Sequence, residues 1–161
     1  MERQYDVRAI RHHDRADWEP LWRGYQLFYG VSIEESVSAT TWSRLLDSQE
    51  PVSGALAWVG NEAIGMVHYI RHRSCWTVED YCYLQDLFVK QESRRHGAGR
   101  ALIEYVCRAA EQHGCARVYW LTQEDNLDAI KLYDKVAERS GFIQYRRPLP
   151  SLKFSERDRK R

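Results

Sequence analysis

The sequence predicts an α+β fold on a sheet of mixed direction, antiparallel in its first half and ending in a parallel pair, flanked by about four helices. Three observations lead there. The elements read in the order β, α, α, three strands, then α, β, α, β. A Gly60-Asn61 pair between two strand-like runs marks a two-residue hairpin turn. Later, a strand–helix–strand passage requires a crossover, which makes its two strands parallel.

The elements follow in order. Tyr5 to Ile10 alternates as a first strand. Asp14 or Asp17 suits the cap of a helix whose Trp18, Leu21, Trp22, Tyr25 and Phe28 or Tyr29 recur on one face, and Gly30 ends it. A short helix is expected from Thr40 to Asp47, before Pro51 and Gly54 break the pattern. Ala55 to Val59 and Ala63 to Arg71 form the hairpin, and Tyr81 to Val89 the central strand. A long helix runs from Gly97 to His113 with Gly114 as its cap, and Arg117 to Leu121 reads as a buried strand. Asn126 opens a helix to about Arg139, with Ile130, Tyr133, Val136 and Ala137 inward. Gly141 ends it, Phe142 to Tyr145 returns as a strand, and a charged, loosely held tail follows Pro150.

The chain of 161 residues is read as one domain, residues 1–161, large enough to bury a core. Hydrophobic residues make up 43% and charged residues 29%, and the net charge is +1. That balance argues against a globally basic nucleic-acid binder. No apolar run approaches the roughly 20 residues that span a bilayer, and Met1-Glu2-Arg3-Gln4-Tyr5 has no signal-peptide core. A cytoplasmic protein away from membranes and nucleic acid is the expectation. Cys75, Cys82, Cys107 and Cys115 form no close pair, so no metal site is expected and the thiols are read as reduced and mostly buried. Ten tyrosines and six tryptophans favour aromatic-lined surfaces or an interface.

Chemistry concentrates in Arg94-Arg95-His96-Gly97-Ala98-Gly99-Arg100, between the central strand and the long helix. First-turn amides have no intrahelical partner, the helix dipole adds partial positive charge, and glycine lets a backbone approach a phosphate. Arg94, Arg95 and Arg100 add formal charge. There is no Gly-Lys-Ser/Thr ending for a Walker loop and no third glycine at the dinucleotide spacing.

Arg94-x-x-Gly97-x-Gly99, after Leu87-Phe88-Val89, resembles the acetyl-CoA signature of the GNAT N-acetyltransferases. The likeness continues with Asn126 and Tyr133, seven residues apart, ahead of Gly141-Phe142, and covers Val7 to about Tyr145. Tyr83 to Val89 is similar to the corresponding strand of spermidine/spermine acetyltransferases. Leu132 to Ala137 and the aromatic first helix look more like the fungal histone and D-amino-acid acetyltransferase branch.

The resemblance implies a GNAT fold and transfer of an acetyl group from acetyl-CoA to a primary amine. The Arg94, Arg95, His96, Gly97, Ala98, Gly99 and Arg100 turn is then expected to hold the pyrophosphate. Leu87, Phe88 and Val89 would take the pantetheine as an added strand. Asn126 would bond near the pantetheine or simply cap its helix. Tyr133 would line the cofactor and give a proton to the departing thiolate, as a tyrosine of ordinary pKa near 10 is able to do. A backbone amide near Leu87 or Phe88 is the candidate oxyanion donor.

The general base stays open. The polyamine enzymes carry Glu where this chain has Gln85. Strand alternation puts Gln85 with Tyr83 and Leu87, and Asp86 on the opposite face, unless a bulge re-aims one of them. Asp86 is the candidate base, Glu79 or Asp80 would act through water, and a neutral amine would need none. Tyr29, Glu34, Trp76 and Gln85, with Glu35, Glu79 and Asp80, form the expected acceptor region for a small amine, an amino acid or a lysine-bearing peptide. Trp76 and the aromatic helix also suit a homodimer interface. The rival expectation is a non-catalytic acyl-CoA sensor or interaction module on the same fold.

Overall fold

The computed structural model describes residues 5–150, so the tail expected after Pro150 lies outside the described residues. Two compact units are present, one ending at Gln123 and the other beginning at Glu124. The first carries one five-stranded sheet in the order β1-β2-β3-β4-β5. Its strands are β1 (Asp6–Ala9), β2 (Val52–Val59), β3 (Glu62–His72), β4 (Tyr81–Val89) and β5 (Arg117–Tyr119). β1 to β4 pair antiparallel and β4 with β5 parallel. This is the mixed α+β sheet that the element order predicts.

Two helices precede the hairpin, α1 (Arg15–Phe28) and α2 (Glu35–Leu46). Their Trp18, Leu21, Trp22 and Trp42 pack with Leu56 and Met66 into one apolar cluster. Trp18 stacks on Trp22 at 5.9 Å and lies 5.1 Å from Trp42. The opposite face belongs to α3 (Ala98–Gln112), whose Leu102, Ile103, Val106 and Ala110 are buried. Alternation explains the division: Met66 joins the α1 cluster, while a Cβ on neighbouring Gly65 would point at Leu102, 3.1 Å away.

α1 begins where β1 is tied to it. Buried Asp14, 1% exposed, accepts from the Arg8 guanidinium at 3.2 Å and from the Arg11 backbone amide at 2.8 Å. Gly30 then leaves the helix in the left-handed region, at φ 61°. α2 starts at Glu35, not at Thr40, because its first turn has a tertiary partner that apolar periodicity does not register. The Ser38 hydroxyl accepts the Trp22 indole N–H at 3.0 Å, and the Glu34 carbonyl accepts the amides of Val37 and Ser38. Gly54, expected to break the pattern, sits inside β2, where a Cβ would meet Ile10 and Leu45.

Three further expectations are corrected. β5 stops at Tyr119 and is exposed to half-buried, with Arg117 lying 3.8 Å over the Tyr81 ring. In the second unit, α4 (Leu127–Val136) ends short of Arg139, whose guanidinium turns back to Asp134 at 3.1 Å. Ile130, Tyr133 and Val136 are half-buried and Ala137 is exposed. Phe142 to Tyr145 forms no strand, and Phe142 and Tyr145 are exposed. The four thiols are free, but only Cys82 is buried, which pushes it up to about 12.

Gly65 has no room for a side chain, since an added Cβ would stand 2.9 Å from the Phe88 carbonyl oxygen and 3.1 Å from Leu102. Gly65→Val should destabilise the fold by about 1–3 kcal/mol through overpacking, read as a lower urea midpoint with an unchanged slope.

Candidate active site

The central feature of the site is a break in the β3–β4 ladder. His68 pairs with Asp86, but the next β3 residue, Tyr69, pairs with Leu84. Gln85 is therefore one extra residue without a β3 partner, a β-bulge. A bulge moves the following side chains to the other face, and it brings Asp86 onto the side occupied by α1. Gln85 itself is left exposed.

Asp86 is 8% exposed and His68 is 3% exposed. His68 Nδ1 lies 2.9 Å from Asp86 Oδ2, and the Trp18 indole N–H donates to His68 Nε2 at 2.8 Å. The Tyr25 hydroxyl faces Asp86 from α1. Burial and the negative charge of Asp86 together push the hydroxyls of Tyr25, Tyr29 and Tyr83 above the usual tyrosine range, so all three stay protonated at neutral pH. Tyr29 closes α1 at an edge-on 5.0 Å from Tyr25. Tyr83 stacks on Tyr119 at 5.1 Å, and the Tyr119 hydroxyl meets His72 Nε2 at 2.7 Å. The result is one buried carboxylate set among tyrosines.

Beyond the bulge, β4 changes neighbours. Its pairing with β5 ends at Tyr83–Tyr119. From Leu84 to Val89 it has β3 on one side and no described strand on the other. Leu87, Phe88 and Val89 thus lie half-buried along an open edge. A single 3-10 turn follows at Gln91–Ser93, and then the glycine loop.

In that loop Arg95 and Gly97 take positive φ, 65° and 94°. The first bond of the α3 ladder runs from the Ala101 amide to the Gly97 carbonyl at 3.0 Å. The amides of Ala98, Gly99 and Arg100 precede that ladder, as at any helix start. A Cβ on Gly97 would find only Tyr5 within 4 Å, at 3.8 Å, so the space in that direction is open. The loop is also anchored, since the His96 carbonyl accepts the Tyr5 hydroxyl at 2.7 Å. Arg94 ties the loop to the end of β4. Its Nε donates to the Val89 carbonyl at 2.9 Å, and its guanidinium lies over Phe28 and Phe88, at 5.3 and 5.7 Å. Arg100 reaches along α3 to Glu104 at 3.4 Å.

The other expected residues are more scattered. Glu34 is exposed at the start of α2, and Trp76 is 79% exposed on the loop before β4. Asp80 is engaged by Arg73 at 3.0 Å, and Glu79 is exposed. In the second unit, Asn126 holds the cap position of α4 without a side-chain cap bond, while its carbonyl accepts the Ile130 amide at 3.0 Å. Tyr133 lies two turns along the same helix, half-buried. Sequence reasoning missed His68, Trp18 and Tyr25 as polar partners. The available signal was one histidine inside the otherwise apolar run Ala63 to Ile70, where a buried polar group demands a partner.

Residues 8–137 match the family model for the acetyltransferase (GNAT) family. The chain belongs to the GNAT acetyltransferases. It is 38% identical over 143 residues to the D-amino-acid N-acetyltransferase HPA3 of Saccharomyces cerevisiae, covering 88% of this chain and 89% of that one. It is 34% identical over 85 residues to the thialysine N-epsilon-acetyltransferase of Caenorhabditis elegans, covering 53% and 52%. Among solved structures, the aminoglycoside acetyltransferase AAC(6')-Iy bound to a CoA bisubstrate analogue superposes with a TM-score of 0.79 at 16% identity, over 91% of this chain and 99% of that one. This GNAT chain is accordingly an acetyltransferase, of a family whose members transfer an acyl group to an amine.

Because Gly97 stands at φ 94° with open space around its Cβ direction, a side chain there meets conformational strain and not a clash. Gly97→Val should cost about 1–2 kcal/mol, seen as a modest drop in the thermal or urea midpoint of a protein that still folds.

Proposed function

We propose that this chain is an acetyl-CoA-dependent N-acetyltransferase that acetylates a primary amine by direct attack. The acceptor would be a small amine, an amino acid or a lysine side chain. The observation that carries the reading is the buried Asp86 carboxylate among Tyr25, Tyr29 and Tyr83, on the strand that leads along an open edge into the glycine loop. The names of the relatives support an amino-acid or small-amine acceptor.

The residues present fit the cofactor. The open space beside Gly97 and the amides of Ala98, Gly99 and Arg100 suit a pyrophosphate, with Arg95 and His96 in the same loop. The free edge at Leu87, Phe88 and Val89 suits the amides of a pantetheine arm. Asn126 is assigned to the same arm. When bound, acetyl-CoA supplies an acetyl group activated as a thioester.

Asp86 attracts the acceptor ammonium and takes its proton, directly or through water, so that the nitrogen lone pair is free to attack. The new C–N bond forms as the C–S bond breaks, Tyr133 gives its hydroxyl proton to the departing sulfur, and the second proton lost by the nitrogen restores the Tyr133 hydroxyl through solvent. Tyrosine rings beside Asp86 favour a cation over an anion at the nitrogen. Tyr29 and Gln85 border that position from α1 and from the bulge, and Glu34 and Trp76 are assigned to the outer acceptor region.

Thiol release from acetyl-CoA, measured against polyamines, free L- and D-amino acids and a lysine-rich peptide, tests the reading. Release with one class is expected, and silence across the panel with CoA bound would overturn it. Asp86→Asn should lower kcat/KM for the amine by about 10²–10⁴-fold while CoA affinity by calorimetry holds. Tyr133→Phe should lower kcat by about 10–1,000-fold with little change in the KM for acetyl-CoA. The Gly97→Val variant described above should bind CoA at least about tenfold more weakly, a loss of about 1.4 kcal/mol.

A further inference from the structure

Behind Asp86 stands a polar group that the acetyl-transfer reading leaves without a task. His68 is 3% exposed on β3, and both ring nitrogens are engaged, Nε2 by Trp18 at 2.8 Å and Nδ1 by Asp86 at 2.9 Å. The partners determine the protons. An indole N–H is a donor only, so His68 Nε2 must be a bare acceptor. A neutral imidazole then carries its single proton on Nδ1 and donates it to Asp86 Oδ2. A cationic ring, which the 2.9 Å spacing would otherwise suit, would set two N–H groups against each other at Trp18. Asp86 cannot be the donor in that bond either, because a neutral imidazole never accepts at both nitrogens.

We propose that His68 is a positioning residue for acetyl transfer: Trp18 fixes it as the Nδ1–H form, and it holds Asp86 as an oriented carboxylate facing the acceptor amine. The proposal rests on the acetyl-transfer reading. Asp86 Oδ2 is held from β3 by His68, and the Tyr25 hydroxyl faces the carboxylate from α1. A carboxylate has about four lone-pair positions, so capacity remains for an incoming ammonium. The titratable groups facing it are Tyr25 and Tyr29 on α1, His68 on β3 and Tyr83 on β4, with Tyr119 of β5 behind Tyr83. Each is a neutral hydrogen-bonding group. They support and aim the negative charge without cancelling it, which leaves the attraction for the substrate nitrogen. The Gln85 bulge is what turns Asp86 toward His68, so the ladder irregularity and the polar chain form one device.

Two measurements test this. Imidazole 15N NMR of the histidine-labelled protein at neutral pH, with His68 assigned by its loss in His68→Phe, should show a protonated Nδ1 and an unprotonated Nε2. A protonated Nε2, alone or with Nδ1, overturns the proposal. In kinetics, His68→Phe should lower kcat by about 10–100-fold, part of what a positioned base contributes, with the KM for acetyl-CoA unchanged. His68→Asn keeps an N–H donor near the Nδ1 position and should restore most of the loss. A folded His68→Phe protein with full kcat overturns the proposal, as does a folded Asn variant no better than Phe. Should neither variant fold, the ring spectrum of the wild-type protein, assigned by elimination from single substitutions of the other five histidines, decides it. Failure of the wild type to acetylate any amine sinks the acetyl-transfer reading itself, whereas full activity in His68→Phe sinks only the role of His68.

Discussion

The one-residue bulge at Gln85 decides which face of β4 Asp86 occupies. Without it, strand alternation would send Asp86 toward α3, into the apolar layer of Leu102 and Val106, where an ionised carboxylate has no donors. With it, Asp86 meets His68 on the paired strand and Tyr25 on α1. The bulge also marks where β4 parts from its neighbour: parallel pairing with β5 ends at Tyr83, and the free edge begins at Leu84. One inserted residue therefore sets the side-chain direction just as the edge opens.

The device depends on α1 lying close and rigid over the sheet. Trp18, Trp22 and Trp42 each bury about 150–250 Å², about 4–6 kcal/mol apiece as an upper figure. That burial also orients polar ends. Trp22 gives its indole proton to Ser38 and so fixes where α2 begins, while Trp18 gives its own to His68. Gly24 permits the approach, since a Cβ there would stand 2.7 Å from the Phe88 ring. Phe88 and Phe28 in turn carry the Arg94 guanidinium, whose Nε bonds the end of β4. The same packing that closes the core thus anchors the turn into the glycine loop.

Much of this was legible in the residues. Periodicity located β1 to β4, α1 and α3 to within a few positions, because each buries a regular face. The glycine loop was legible because Gly97 and Gly99 precede a strong helix. α2 was placed too late because its first turn is held by Ser38, a polar contact with no periodic signature. Phe142 to Tyr145 reads as a strand by composition, but a strand is made by its partner, and composition names none. His68 was hidden for a related reason. One histidine in an apolar strand says that a partner exists, yet only the register, shifted at Gln85, says that the partner is Asp86.

Arg94 has a positional role beside its charge. Its Nε bonds the Val89 carbonyl and its guanidinium lies over Phe28 and Phe88, all neutral groups, so the loop is tied to the end of β4 and the positive charge is not cancelled. In the proposed reading that charge adds to the α3 amides and dipole in attracting a pyrophosphate. Around Asp86 the sign is opposite. There the neighbours are neutral donors, and burial has pushed the tyrosine hydroxyls further from ionising. An anion held by neutral donors in a low-dielectric setting keeps its attraction for a cation, where a neighbouring Arg or Lys would have quenched it. In the proposed reading the two tasks are therefore separated: backbone amides for an anion at the end of β4, and an unquenched carboxylate for a cation at its middle.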